Sequence, residues 1–253
     1  MIPLREQEYI KNRFSQELEG KVKIDFFTQR ASKLFVPGRE ECATCEEAGK
    51  LIDEVSALSE KVLLTSHEFA DEAEEAQKLG IDKVPAFVLR GPANRPVRFF
   101  GVPGGNEFPN FIETIIDLSK QKLELPPETA KQLKKVKDAS SIDVYVTPTC
   151  PHCPGVVRAA FRLAQASAKI EASATEIGEF PRLAEQLGVR AVPFIVINKQ
   201  AAFAGAVDEA GLVEAVLQSV SGSPAATPSQ SGATSTTGQA SGPPPESGLI
   251  LPR

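Results

Sequence analysis

The spacing of hydrophobic positions changes several times along the chain, from the alternation typical of strands to the spacing of amphipathic helices. The second half shows this most clearly. Strands are predicted at residues 142–146, 169–177, 194–197 and 201–204, and helices at 150–165, 180–187 and 208–220. The resulting order, β-α-β-α-β-β-α, indicates an α/β fold.

The first half has the same order of elements. Its predicted strands cover residues 22–27, 62–66, 86–89 and 97–100, and its predicted helices run from Cys42 to about residue 58 and over 71–79 and 106–120. An amphipathic stretch before residue 20 predicts an added N-terminal helix. Residues 128–137 are predicted to form a connecting helix, because Pro127 suits a first helical turn.

Landmarks that share one offset indicate that a unit has been duplicated. Three pairs of residues are each 108 positions apart: Cys42 and Cys150, Cys45 and Cys153, and Pro85 and Pro193. Asp25 pairs best with Asp143, which lies 118 positions further on. This larger offset predicts about ten extra residues before Cys42, around residues 30–39.

Composition divides the chain into three parts. We predict an N-terminal unit at 1–124, which includes the extra helix, and a C-terminal unit at 125–220, which includes the connecting helix. In the last 33 residues, 221–253, 22 are Ser, Gly, Pro or Thr. Such a segment cannot bury enough apolar surface to offset its ordering entropy, so a disordered tail is predicted.

Overall composition and charge limit the classes of function that the protein could have. Hydrophobic residues make up 42% and charged residues 24%, as in soluble globular proteins. The net charge of −5 gives no general attraction to nucleic acid or to an anionic membrane. The sequence contains no long apolar run, and its N-terminus lacks a secretory pattern. We expect a cytoplasmic protein with no nucleic-acid or membrane partner.

The four cysteines form two Cys-x-x-Cys motifs, at Cys42/Cys45 and Cys150/Cys153. In a cytosolic chain such close pairs indicate redox centres or metal ligands. At a helix start, the first sulfur lies near unpaired backbone N–H groups and the positive end of the helix dipole, which both favour the reactive thiolate. The second sulfur lies one turn further on. The motif therefore supplies a nucleophile and a resolving thiol together.

The two motifs differ in their neighbours. In Cys150-Pro151-His152-Cys153, the proline suits the first helical turn, and a partly protonated His152 would stabilise the Cys150 thiolate. A stabilised thiolate makes the disulfide a stronger oxidant. The motif at Cys42 is instead surrounded by three acidic residues, Glu41, Glu46 and Glu47. We therefore expect Cys42 to be the less reactive nucleophile.

Two Val-Pro pairs accompany the cysteines. Val84-Pro85 and Val192-Pro193 each precede an apolar run, with the proline 43 residues beyond the first cysteine of its motif. A cis peptide bond is the usual reason for a proline in such a position. The predicted cis-prolines would face the cysteines, and the backbone of each valine could pair with an extended substrate segment.

Together, the Cys-x-x-Cys motifs and the Val-Pro pairs resemble the thioredoxin superfamily. The duplication, the segment Thr-Pro-Thr-Cys-Pro-His-Cys-Pro at 147–154 and the segment Phe-Gly-Val-Pro-Gly-Gly-Asn-Glu-Phe at 100–108 are similar to the glutaredoxin-like protein disulfide oxidoreductases of thermophilic archaea and bacteria. The resemblance covers roughly residues 5–220. It implies two tandem thioredoxin-like folds packed side by side.

The same resemblance implies an enzyme that reduces, forms or isomerises protein disulfides. It needs no tightly bound cofactor or metal, and its electrons come from a flavin-dependent NADPH thioredoxin reductase. Carried over by motif, Cys150 is the nucleophile of the main site, Cys153 the resolving thiol and Pro193 the cis-proline. The first unit's Cys42, Cys45 and Pro85 take the same roles. No Trp precedes either motif, which departs from the family pattern.

Three alternatives stay open. The cysteines could hold structural zinc, although 104 residues separate Cys45 from Cys150 and each motif has its own proline. The chain could be a dedicated electron carrier to a peroxiredoxin. It could also be a non-catalytic scaffold that binds peptides.

Overall fold

The computed structural model describes residues 2–30 and 41–220. The extra residues predicted before Cys42 fall mainly at 31–40, and the predicted disordered tail falls at 221–253. Both predictions therefore lie outside the described residues. Within the described ranges, no helix is long and apolar enough to cross a lipid bilayer.

The first unit has the predicted β-α-β-α-β-β-α order after an N-terminal helix. That helix buries Ile10 and Phe14, which lie one turn apart on its inner face. The elements are α1 (Leu4–Glu17), β1 (Val22–Thr28), α2 (Cys45–Ser56), β2 (Val62–Glu68), α3 (Ala73–Lys78), β3 (Ala86–Arg90), β4 (Val97–Phe100) and α4 (Glu107–Ser119).

The second unit repeats this order after the predicted connecting helix. The carboxylate of Asp208 accepts a hydrogen bond from the Gly211 N–H at 2.9 Å, as expected of the residue that caps the last helix. The elements are α5 (Pro127–Leu133), β5 (Ser140–Val146), α6 (Cys153–Ala166), β6 (Ile170–Glu176), a 3-10 helix (Ile177–Glu179), α7 (Pro181–Leu187), β7 (Phe194–Ile197), β8 (Ala201–Ala204) and α8 (Glu209–Val220).

The strands of both units join into one eight-stranded sheet. Its order is β2-β1-β3-β4-β6-β5-β7-β8, so the units meet where β4 pairs with β6. This pairing is parallel, with Val97 opposite Ala172 and Phe100 opposite Thr175. The tandem thioredoxin-like arrangement is thus a continuous sheet whose central strands come from different units.

One hydrophobic core extends across both units on one face of the sheet. Helix α4 of the first unit packs against α6 of the second. Between them lies the buried carboxylate of Asp117, which accepts a hydrogen bond from Arg158 at 2.9 Å and forms an ion pair with Arg162 at 3.6 Å. Because the core and this ion network are shared, the division of the chain at residue 124 stays a prediction.

Both redox helices begin later than predicted. The predicted helices start at Cys42 and Cys150, whereas α2 and α6 start at the second cysteine of each motif. The first cysteine lies in the turn before the helix. The helix starts later than predicted because a residue that faces the unpaired N–H groups of the first helical turn must lie outside the helix.

Candidate active sites

Each Cys-x-x-Cys motif forms a disulfide at the N-terminus of its helix. The Cα atoms are 5.5 Å apart in both Cys42–Cys45 and Cys150–Cys153. In each pair the first cysteine is the more accessible. Cys42 is half-buried and Cys45 is buried, while Cys150 is 7% exposed and Cys153 is 0% exposed. A partner would therefore reach the first cysteine of each pair more readily than the second.

The second motif holds its first sulfur against a backbone donor. The N–H of Cys153 points to the Sγ of Cys150 at a distance of 3.1 Å, and the N–H of Cys150 donates to the carbonyl of Thr147 at 3.1 Å. A hydrogen bond to the charged form of a group favours that form. This geometry therefore suits a thiolate on Cys150 at the positive end of α6.

The first motif is organised by a residue that the sequence did not single out. Gln29, which follows β1, accepts a hydrogen bond from the N–H of Cys42 at 2.8 Å through its side-chain oxygen. Its own N–H points to the Sγ of Cys45 at 3.3 Å. The donor in this motif thus faces the second sulfur rather than the first. These contacts of Gln29 could not be predicted from the sequence, because residues 30–41 separate Gln29 from the motif.

Both Val-Pro peptide bonds are cis, which confirms the predicted isomer at Pro85 and Pro193. The prolines are buried, and the valines before them are half-buried. Val84 lines the same cavity as Cys42, so the structure brings these two predicted site residues together. Val192 packs against the core cluster that contains Cys150 and Cys153. Substrate binding by either valine stays a prediction.

The cavity beside Cys42 has a volume of about 590 Å³ and takes walls from both units. The first unit contributes residues 42–44 of the motif, Val84 and Phe69, and the second unit contributes the segment 178–181. Charged groups around it are Glu41, Asp82, Lys83 and Glu179. A partner that reaches Cys42 would therefore contact both units.

Each motif is also contacted by the opposite unit. The carboxylate of Glu179 accepts a hydrogen bond from the hydroxyl of Thr44, between the cysteines of the first motif. In the other direction, the N–H of Asn106 donates to the carbonyl of Pro148 at 2.9 Å, in the turn before Cys150. Gly105 has φ +56°, and a Cβ there would lie 2.3 Å from that carbonyl oxygen. Only glycine permits this close approach.

A buried carboxyl group lies at the start of α4, close in sequence to this contact. Glu107 is 1% exposed, and its Oε2 accepts a hydrogen bond from Asn110 at 2.9 Å. Its Oε1 has no hydrogen-bond partner among the described residues. Burial raises the pKa of Glu107 to about 7, although the Asn110 hydrogen bond lowers it. No sequence pattern signals this burial, because a Glu in a first helical turn is usually solvated.

The two histidines lie in different settings. His152 is exposed at the start of α6, and its proposed influence on Cys150 stays a prediction. His67 stacks on Phe27 with ring centroids 4.6 Å apart and contacts Glu72 at 2.6 Å and Asp25 at 3.3 Å. Burial lowers the pKa of His67, but the hydrogen bonds to Glu72 and Asp25 outweigh it and raise the pKa overall. These contacts favour a structural role for His67.

Comparison with known proteins identifies related chains. A thioredoxin domain model matches residues 140–218. Thioredoxin from Methanocaldococcus jannaschii is 36% identical over 85 residues, which cover 33% of this chain and 95% of that protein. The alkyl hydroperoxide reductase protein AhpF of Pseudomonas aeruginosa is 23% identical over 181 residues, or 70% of this chain and 33% of that protein.

Among solved structures, a protein disulfide oxidoreductase from Aeropyrum pernix superposes with a TM-score of 0.76. It is 24% identical, and the match covers 88% of this chain and 95% of that one. This likeness shows the tandem fold. The chain spans about 30% of the length of the first curated relatives that it matches. The 36% identity to the Methanocaldococcus jannaschii thioredoxin over 95% of its length, together with the thioredoxin domain match, shows that the chain belongs to the thioredoxin family.

Proposed function

We propose that the protein exchanges disulfides with protein substrates and that Cys150 of the second motif is its main nucleophile. One observation carries this proposal. The Cys153 N–H points to the Cys150 Sγ at 3.1 Å, while Cys153 is shielded from solvent. This backbone donor would stabilise a Cys150 thiolate, and Cys153, the more deeply buried of the two, would attack in the second step.

In the reducing direction, the Cys150 thiolate attacks one sulfur of a substrate disulfide. The substrate S–S bond breaks, a mixed disulfide forms, and the leaving sulfur takes up a proton. Cys153 then loses its proton and attacks the Cys150 sulfur. This step releases the second substrate thiol and leaves the Cys150–Cys153 disulfide, so two electrons have passed to the substrate. A substrate disulfide is formed by the same reaction steps in reverse.

Substrate binding is proposed for the two valines. Val192 lies two residues before β7 and Val84 two residues before β3, with Val84 on the wall of the cavity beside Cys42. Their backbone groups would pair with an extended substrate segment, as in strand addition. Cys42 and Cys45 are proposed to form a second, less reactive centre that exchanges disulfides by the same steps.

The proposed electron source is a flavin-dependent NADPH thioredoxin reductase, with no cofactor held by this chain. Similarity to the alkyl hydroperoxide reductase protein AhpF over 70% of the chain favours a second candidate function. In that candidate, the protein carries electrons to one peroxiredoxin and ignores general substrates. A cytoplasmic location and the lack of nucleic-acid or membrane partners stay predictions from the sequence.

The role of Cys150 can be tested by measuring how much the protein accelerates the reduction of insulin by dithiothreitol. Cys150→Ser should lower the rate by about tenfold or more, because the favoured nucleophile is lost. Cys42→Ser should keep most of the rate and serves as the matched control. An unchanged rate in Cys150→Ser would remove Cys150 from its proposed role.

The two alternative functions give different outcomes. A dedicated carrier would reduce one peroxiredoxin much faster than insulin. A non-catalytic scaffold would still suppress aggregation of an unfolded protein after both Cys42→Ser and Cys150→Ser were introduced. We expect the double variant to lose insulin reduction altogether.

A further inference from the structure

The second unit places a carboxylate inside the first redox motif. Through one oxygen, Glu179 accepts the hydrogen bond from the Thr44 hydroxyl, and through the other it accepts one from the Val102 N–H at 2.6 Å. Thr44 is the residue directly before α2. Val102 follows Gly101, whose N–H donates to the carbonyl of Pro85 at 2.8 Å. The carboxylate thus connects the turn of the motif to the segment that carries its proline.

Neighbouring residues hold Glu179 in this position. Its N–H and that of Gly178 donate to the carboxylate of Glu176 at 2.9 and 3.0 Å, which fixes the short 3-10 helix. Gly101 has φ +89°, and a Cβ there would lie 2.9 Å from the Glu179 Oε1. The absence of a side chain at Gly101 leaves room for this carboxylate.

The position has an electrostatic consequence for Cys42. Glu179 and Cys42 line the same cavity, whose other charged groups are Glu41 and the ion pair of Lys83 with Asp82. The N-terminus of α2 favours a thiolate there, and a nearby carboxylate opposes it. A less stable thiolate disfavours the reduced pair and makes it the stronger reductant.

We propose that Glu179 is a positioning residue that tunes the first redox pair from the second unit. It fixes the turn between Cys42 and Cys45 and holds a negative charge against the Cys42 thiolate. The first pair is thereby a stronger reductant than it would be without this contact. This inference rests on the proposed thiol–disulfide exchange by both pairs.

The test uses the full chain with Cys150→Ser and Cys153→Ser, so that only the first pair titrates. Glu179→Gln keeps the shape of the side chain and removes its charge. We expect the pH midpoint of thiolate formation at Cys42, followed by ultraviolet absorbance, to fall by about one unit. The equilibrium of the first pair with glutathione should shift about tenfold towards the dithiol, which corresponds to about 30 mV.

Two further variants separate the contact from a general charge effect. Glu185→Gln removes an exposed carboxylate from the same unit and should change neither quantity. Thr44→Val removes the hydroxyl that contacts Glu179, so Glu179→Gln should have a smaller effect in that background.

The outcomes distinguish this inference from the proposed function. An unchanged thiolate midpoint and glutathione equilibrium in Glu179→Gln would overturn the inference while the first pair still exchanges disulfides. An equal shift in Glu185→Gln would overturn it as well. A first pair that never exchanges with glutathione would instead contradict the proposed role of Cys42 and Cys45.

Discussion

At the scale of single residues, the unexpected feature is the carboxyl group of Glu107. It is buried at the start of α4, and one of its oxygens has no hydrogen-bond partner among the described residues. Its pKa of about 7 lies above the value of an ordinary glutamate because burial disfavours the charged form. The folded protein therefore holds this proton more tightly than the unfolded chain does.

This difference predicts how stability depends on pH. The raised pKa of Glu107 makes the free energy of unfolding fall as pH rises from about 4.5 to about 7, by an amount on the order of 3 kcal/mol. Glu107→Gln should remove that loss and stabilise the protein above pH 7. Guanidinium unfolding between about pH 4.5 and about pH 8 measures both effects.

The exposed Glu185 provides the control for this experiment, and Glu185→Gln should reproduce the wild-type pH dependence. A Glu107→Gln protein that loses stability with pH as steeply as the wild type would show that this carboxyl group is not the cause.

The residues of the site divide into those that spacing reveals and those that it does not. The cysteines and prolines could be predicted, because an offset of 108 residues repeats three times. Gln29, Glu107 and Glu179 could not. Gln29 contacts its motif across an intervening segment, and the contact of Glu179 joins residues 135 positions apart. Contacts of this kind depend on how the two units pack, which local patterns do not encode.

At the scale of elements, the order of strands and helices was predictable, whereas the contacts between loops were not. The order of the strands along the chain follows from the hydrophobic runs in the sequence. The observed strands differ from the predicted ones by a few residues at their ends. The segment 100–108 joins a predicted strand to a predicted helix, and the sequence assigned no contact with the motifs to it. In the structure it contacts both motifs, since Val102 meets Glu179 and Asn106 meets Pro148.

Gly105→Ala tests the contact between this loop and the second motif. An alanine there would strain a left-handed backbone and place its Cβ 2.3 Å from the Pro148 oxygen, so the turn before Cys150 must move. We expect a loss of roughly 1–2 kcal/mol of stability from the backbone conformation alone. Insulin reduction by the second pair should also slow.

Gly155→Ala is the matched control, because a Cβ at Gly155 in α6 would meet no atom within 4 Å. This variant should be neutral or stabilise the helix by up to about 1 kcal/mol. Equal stability and activity in the two variants would contradict a supporting role for Gly105.

At the scale of the whole molecule, the two units share one sheet and one hydrophobic core. The sheet continues from β4 to β6, the core crosses the junction, and Asp117 of α4 binds the guanidinium groups of α6. The duplication was readable from the sequence, but the way the copies join was not, because no pattern within a strand specifies its partner in another unit. The junction brings each motif into contact with the opposite unit.

The central claim is that Cys150 is the attacking nucleophile and Cys153 is the resolving thiol. The most direct test is brief alkylation of the fully reduced protein with iodoacetamide between about pH 5 and about pH 9, with each cysteine quantified by mass spectrometry. We predict that Cys150 reacts first, with a pH midpoint below the ordinary thiol value of about 8.5, and that Cys153 stays unmodified. Faster alkylation of Cys153, or a Cys150 that reacts no faster than an ordinary thiol, would contradict the account.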